Sequence, residues 1–192
     1  MERLLRASFV RVRGQRDRIY VHRSDGSEVS WVFPSYGDGL PHDLVHLVVE
    51  SAFGLKSGFW GRVNAGVDPA RVNDEANRAG GPDKYRGFGE DRREILVAEG
   101  LAAAPWWDAE ASDASVCEGI RASWVSVGLE APEAATPERV RETREALARF
   151  SAQWRELGKK EKGTVTLAFR PDDPRRGFEE AMRVTASRGP PR

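Results

Sequence analysis

The sequence predicts an α+β fold, a small antiparallel sheet covered by four or five helices. Three observations predict it. Apolar side chains alternate with polar ones through the first 33 residues and again at 164–169, which is the period of a half-buried strand. Short turn signals separate the first three alternating runs. Between residue 40 and residue 158 the apolar residues instead recur at spacings of three and four, the period of amphipathic helices.

Leu5, Ala7 and Phe9 define the first strand, and Gly14-Gln15-Arg16-Asp17 reads as a turn. Ile19 and Val21 alternate with Tyr20 and His22, Ser24-Asp25-Gly26-Ser27 turns the chain again, and Val29, Trp31 and Phe33 follow. Three strands joined this tightly make an antiparallel meander. Thr164-Val165-Thr166-Leu167-Ala168-Phe169, bounded by Gly163 and Pro171, is a fourth strand. A lone strand leaves backbone groups unpaired, so this one is expected to return to the meander.

The helices are predicted from their ends as much as from their periods. Pro41 has the signature of a helix start and Gly54 that of a C-terminal cap, which gives a helix over 41–53. Asp68-Pro69 opens a polar helix that Gly80-Gly81 ends. Residues 89–103 place Ile95, Ala98, Leu101 and Ala102 on one face and stop at Pro105; Val116, Cys117, Ile120, Trp124 and Val127 mark another helix. Thr136 as N-cap, Pro137 in the first position and Glu138 in the first turn start the longest one. Its stripe of Val140, Leu147, Phe150, Trp154 and Leu157 is expected to pack on the chain's own sheet, with a homodimer helix as the alternative. Residues 1–185 read as one domain. The stretch from Arg170 is polar, and 186–192 read as a disordered tail.

Composition limits the function classes. Thirty basic and thirty acidic side chains cancel in 192 residues, so no net field favours a polyanion, and nucleic-acid binding is not expected. Charge is uneven, with Arg3, Arg6, Arg11, Arg13, Arg16, Arg18 and Arg23 near the start and an acidic run from Glu90 to Glu118, a distribution that a solvated sheet face and solvated helices account for. The scarcity of lysine beside abundant arginine is what GC-rich coding produces. Cys117 is the single cysteine and sits in an apolar stripe as a core residue. With no apolar run of about 20 residues and no leader pattern, a cytoplasmic protein without a membrane span is expected.

One helix departs from ordinary patterning. In 41–53 the apolar Leu44, Val45, Leu47, Val48, Val49, Ala52 and Phe53 leave a narrow polar strip of His42, Asp43, His46 and Glu50. A solvent edge would normally use Lys, Arg, Glu or Gln, whereas this strip holds two of the three histidines in the chain. His42 and His46, four residues apart, face the same way about 6 Å apart along the axis, a spacing that suits two ligands of one metal. Glu50 lies about 12 Å along the axis from His42, too far to share that metal on a straight helix, but placed to orient His46 as a hydrogen-bond acceptor.

His42-Asp43-Leu44-Val45-His46 resembles the His-Glu-x-x-His motif of the zinc metallopeptidases called zincins. The resemblance covers five residues and implies His42 and His46 as zinc ligands, with Asp43 in the place of the general base. Asp43 is one methylene shorter than the family's glutamate; as the third residue of the helix it also complements the macrodipole. In one zincin group the third ligand is a glutamate on a later helix, which here points to Glu94 or Glu99, with Asp38 as an equal rival. His22 has the wrong strand parity to face the core.

Two further segments stand out. Gly58-Phe59-Trp60-Gly61-Arg62-Val63-Asn64-Ala65-Gly66 combines glycines with aromatics as binding loops do, making Trp60, Arg62 and Asn64 candidate contacts, with Trp60 expected first as a loop anchor packed on the core. Trp106-Trp107 after Pro105 could form an apolar surface patch, but one of the pair is expected to plug the interface of sheet and helices. Gly87-Phe88-Gly89 lacks the third glycine of a dinucleotide fingerprint. Two functional readings follow. The first is zinc binding through the histidine helix, extending to a metal-dependent hydrolase. The second is a non-enzymatic module that binds a small molecule or protein through the long helix or the Trp60 loop. The chain also has the look of small bacterial proteins without a defined role, which implies no activity.

Overall fold

Alternation in the first 33 residues becomes three strands, and the late alternating segment joins them. The structure, a computed structural model, describes residues 4–33, 37–71 and 91–187. β1 (Leu5–Val12), β2 (Arg18–His22), β3 (Glu28–Val32) and β4 (Lys162–Phe169) form one antiparallel sheet in the order β3-β2-β1-β4. The register sets Ala7 opposite Val21, Ile19 opposite Trp31 and, across the other side of β1, Leu5 opposite Phe169 and Phe9 opposite Val165. Because side chains alternate faces, this register puts all eight of those residues on one buried face. The opposite face carries exposed Arg6, Tyr20 and His22, and Ser8 and Thr166 share a 2.9 Å hydroxyl contact there. His22 lies beside Glu28 at 2.8 Å, turned away from the core as its parity requires.

The buried face is covered by helices. α1 (His42–Phe53) lies at the centre and packs against α2 (Phe59–Asn64), α3 (Arg93–Ala102), α5 (Pro137–Gly158), α6 (Pro174–Ser187) and β4, while α4 (Asp113–Ser126) joins α3 to α5. Six helices are therefore present among the described residues, more than the four or five expected. α1 ends at Gly54, whose φ of 76° is the left-handed conformation that glycine adopts without strain. The polar helix opened by Asp68-Pro69 is described only as far as Arg71; its proposed end at Gly80-Gly81, Gly87-Phe88-Gly89 and residues 188–192 lie outside the described residues.

Two of the additional elements had local explanations in the sequence. α2 occupies the segment expected to be a glycine-rich loop. Its glycines serve close packing: a Cβ at Gly61 would stand 1.7 Å from the Lys56 carbonyl oxygen, and one at Gly58 2.7 Å from Glu50 Oε2. α6 occupies the polar stretch after Arg170 and starts at Pro174, with Asp173 accepting from the Arg176 N–H. Arg170, itself buried, holds this helix through a 2.7 Å bond to Glu180.

The stripe of α5 is spent on this chain's own core. Val140, Leu147, Trp154 and Leu157 are buried and Phe150 half-buried, with the Trp154 ring 6.2 Å from Phe33 and under the Arg11 guanidinium. Thr136 Oγ1 accepts from the Arg139 N–H at 3.2 Å, satisfying one of the donors that every helix start leaves open. Thr136→Ala is expected to lower stability by about 1 kcal/mol. Urea denaturation checks this, and a midpoint equal to that of the parent protein would remove the cap's role. Cys117 is buried, with its thiol 3.2 Å from the Ala135 carbonyl.

Candidate metal centre

α1 reaches the site already constrained by its own sequence. Its apolar residues must face the sheet, α5 and α6, which turns the strip of His42, Asp43, His46 and Glu50 toward α2 and α3. α3 buries Ile95, Val97, Ala98 and Leu101, and so brings Glu99 alongside the strip at the edge of its buried face. His42, His46 and Glu99 each offer a ligand atom, and these atoms all lie within 4.8 Å of one another. The His42 and His46 rings stand edge to face with centroids 4.6 Å apart, and His46 Nε2 is 3.8 Å from Glu99 Oε1.

Behind His46 the site is closed. Nδ1 of His46 lies 3.0 Å from Glu50 Oε1, and both side chains are buried. Glu50 also accepts from two backbone groups, the Phe59 N–H at 3.1 Å through Oε1 and the Trp60 N–H at 3.0 Å through Oε2. A carboxylate on α1 thus caps the start of α2, which has no side-chain cap of its own. Burial pushes the Glu50 carboxyl up, against the opposing pull of His46 and the two N–H donors. On His46, burial disfavours charge, but the Glu50 hydrogen bond and the negative charges of Glu50 and Glu99 outweigh it and hold the imidazole above its ordinary value. A proton between Nδ1 and Oε1 fixes the ring and leaves Nε2 as the nitrogen on the Glu99 side.

The donor set could hold a metal ion. Two imidazoles and one carboxylate, with a fourth position left for water, is an arrangement catalytic zinc sites use. Bonds of about 2.0–2.1 Å in a tetrahedron separate ligand atoms by about 3.3 Å, so closure from the observed spacing requires shifts of the order of 1 Å. His42 is exposed and Glu99 half-buried, and they are the two side chains free of full burial.

The remaining candidates are placed elsewhere. Glu94 accepts from the Ser57 N–H at 2.6 Å and ties α3 to the turn before α2, and exposed Asp38 lies 4.0 Å from the Arg11 guanidinium. Neither belongs to the cluster that the histidines form. Asp43 Oδ2 accepts from the Trp31 indole at 2.9 Å, and its backbone carbonyl accepts from the Trp60 indole at 2.9 Å. Burial pushes its carboxyl up while the Trp31 bond and the nearby His46 and His42 pull it down.

The exposed aromatic loop is corrected: residues 59–64 are helical and Trp60 is fully buried, edge to face with Phe59. Arg62 donates to the Ser57 and Asp91 carbonyls, and Asn64 accepts from the Ser24 N–H, so both bind the chain's own backbone. Trp31 is a residue of this site that the sequence reading placed only in the core; its even spacing with Val29 and Phe33 gave no sign that its indole would hold Asp43. Among the described residues no helix is long and apolar enough to cross a membrane. Compared with protein families, curated proteins and solved structures, the chain matches no family model, no curated sequence and no solved structure.

Proposed function

We propose that this chain binds a divalent metal, zinc by its donor set, through His42, His46 and Glu99, with Glu50 orienting His46. The observation that carries the reading is the convergence of three ligand-type atoms within 4.8 Å of one another, backed by a fully buried carboxylate on the far nitrogen of one histidine. The buried Glu50, whose desolvation costs several kcal/mol, is already needed by the two N–H groups it caps on α2, and its third bond goes to His46. Metal ligation supplies a reason for that third bond, since an outer carboxylate fixes the tautomer and raises the basicity of a ligating ring.

Protein dialysed against a mild chelator and restored with zinc is expected to hold about one Zn²⁺ per chain by elemental analysis. Glu99→Gln, at a half-buried position that leaves the core intact, and His42→Ala are each expected to release most of it. Equal substoichiometric metal in the parent and both variants would defeat the reading.

Hydrolysis is the finer reading. It adds a metal-bound water, activated by the ion, and Asp43 as the base. Its support is position: Asp43 stands next to His42 and within one turn of His46 on α1. An ester probe turned over by the zinc-loaded protein and not by Asp43→Asn would sustain it, and zinc bound without turnover would leave a metal-binding protein. The interaction-module reading has less support, because Trp60 and, of the α5 stripe, Val140, Leu147, Trp154 and Leu157 are buried, while Phe150 is half-buried.

A further inference from the structure

We infer that the metal site takes ligands in which the metal-binding oxygen is joined directly to an apolar, preferentially aromatic, group, and that the cleft beside His42 holds that group. The inference rests on the metal reading above and adds the chemical class of what approaches the metal.

The cleft has a volume of about 470 Å³, within the range of small-molecule sites, and lies between the start of α1, the end of α3 and the loop that follows α3. Its position relative to the ligand residues follows from helix geometry. Val45 is one turn beyond His42 on α1, and Ala102 is one turn beyond Glu99 on α3, and both line it together with His42 itself. The space therefore opens where the two ligand-bearing helices diverge. Leu40, Ala104, Pro105, Trp106 and Trp107 add to its apolar wall, and among the described residues the polar side chains that line it are His42 and Asp108. A sugar or phosphorylated group would find few partners there, and a second carboxylate would meet Asp108.

Trp107 is the more telling part. It is 59% exposed, whereas the other five tryptophans are each 6% exposed or less. An indole left in water forgoes a large burial gain, and here the backbone that carries it is tied on both sides. Its neighbour Trp106 is buried and donates its indole N–H to the Leu101 carbonyl at 2.7 Å. Arg144 on α5 reaches the carbonyls of Pro105, Asp108 and Ala111 at 3.3, 3.3 and 2.7 Å and clamps the loop on both sides of Trp107. An exposed aromatic ring on a loop whose backbone is already tied can stack a flat apolar group without the cost of ordering that backbone.

The test compares benzohydroxamate with acetohydroxamate, which present the same two metal-chelating oxygens and differ only in phenyl against methyl. On zinc-loaded protein, benzohydroxamate is expected to bind about tenfold more tightly and to quench the emission of the exposed tryptophan. Trp107→Ala is expected to reduce that ratio to within about twofold while keeping zinc stoichiometry and thermal midpoint, and Trp107→Phe to restore most of it. Zinc bound with equal affinity for the two probes, with neither probe binding, or with a ratio unchanged in Trp107→Ala would overturn the inference and leave the metal reading standing. Failure to hold zinc at all would overturn the metal reading first, and this inference with it.

Discussion

A fragment ending at residue 162 is expected to lose cooperative folding altogether. β4 pairs with β1 along the whole of Leu5–Val12, and its removal would leave that strand's backbone groups open along one side. The larger loss is apolar. Val165, Phe169 and Phe178 are buried and Leu167 half-buried, and burial of such side chains contributes about 1.5–3 kcal/mol each. Three or four of them amount to roughly 5–10 kcal/mol, comparable with the entire stability of a typical domain, about 5–15 kcal/mol. Thermal unfolding of the 1–162 fragment followed by near-ultraviolet circular dichroism decides the matter. A sigmoidal transition from a soluble fragment would show that the sheet stands without its fourth strand.

Glu50→Ala is expected to destabilise the protein by about 3–5 kcal/mol, the range for breaking a buried charged pair. The carboxylate serves three donors, the His46 ring and the Phe59 and Trp60 N–H groups, and water cannot reach the site to replace it. Glu50→Gln keeps the shape but presents an amide donor where only acceptors are wanted, so a loss of about 1–3 kcal/mol is expected. The glutamine variant separates the two roles of the residue: if Glu50 also orients a ligating imidazole, zinc affinity falls about 10–100-fold. Chemical denaturation of both variants and zinc titration of the glutamine variant are the measurements. Alanine tolerated to within about half a kcal/mol would mean that the pair is not a structural keystone of α1 and α2.

How much of this was legible in the sequence depended on whether a feature is local. The strands were legible because alternation and turns are properties of adjacent residues, whereas the neighbour and register of β4 are not fixed by its parity. The strip of His42, His46 and Glu50 was legible for the same reason, since one helix fixes their mutual directions. The third ligand was not. Glu94 and Glu99 are five residues apart, about 140° around α3, and both flank its apolar stripe; only the crossing of α3 over α1 sends Glu99 to the histidines and Glu94 to Ser57. α6 was missed because its stretch is polar on average, although Asp173-Pro174 has the same start signature that Thr136-Pro137 was credited with. α2 was missed because glycine was read as freedom, where Gly58 and Gly61 are required by the carboxylate and carbonyl pressed against them.

The pairing of β1 with β4 also has a consequence in time. The two strands are separated by about 150 residues of chain. At about 5–20 residues per second of synthesis, β1 waits roughly 8–30 s for its neighbour to be made, whereas β2 and β3 follow it within seconds. Through that interval the meander is a nascent sheet whose β1 side is open to any other strand. Arg6, Arg11 and Arg13 lie along that strand and its turn, and charge on an open edge is a known deterrent to pairing with the wrong chain. In the finished fold the same arginines take other partners, Arg11 over the Trp154 ring and near Asp17, and Arg13 against Glu161.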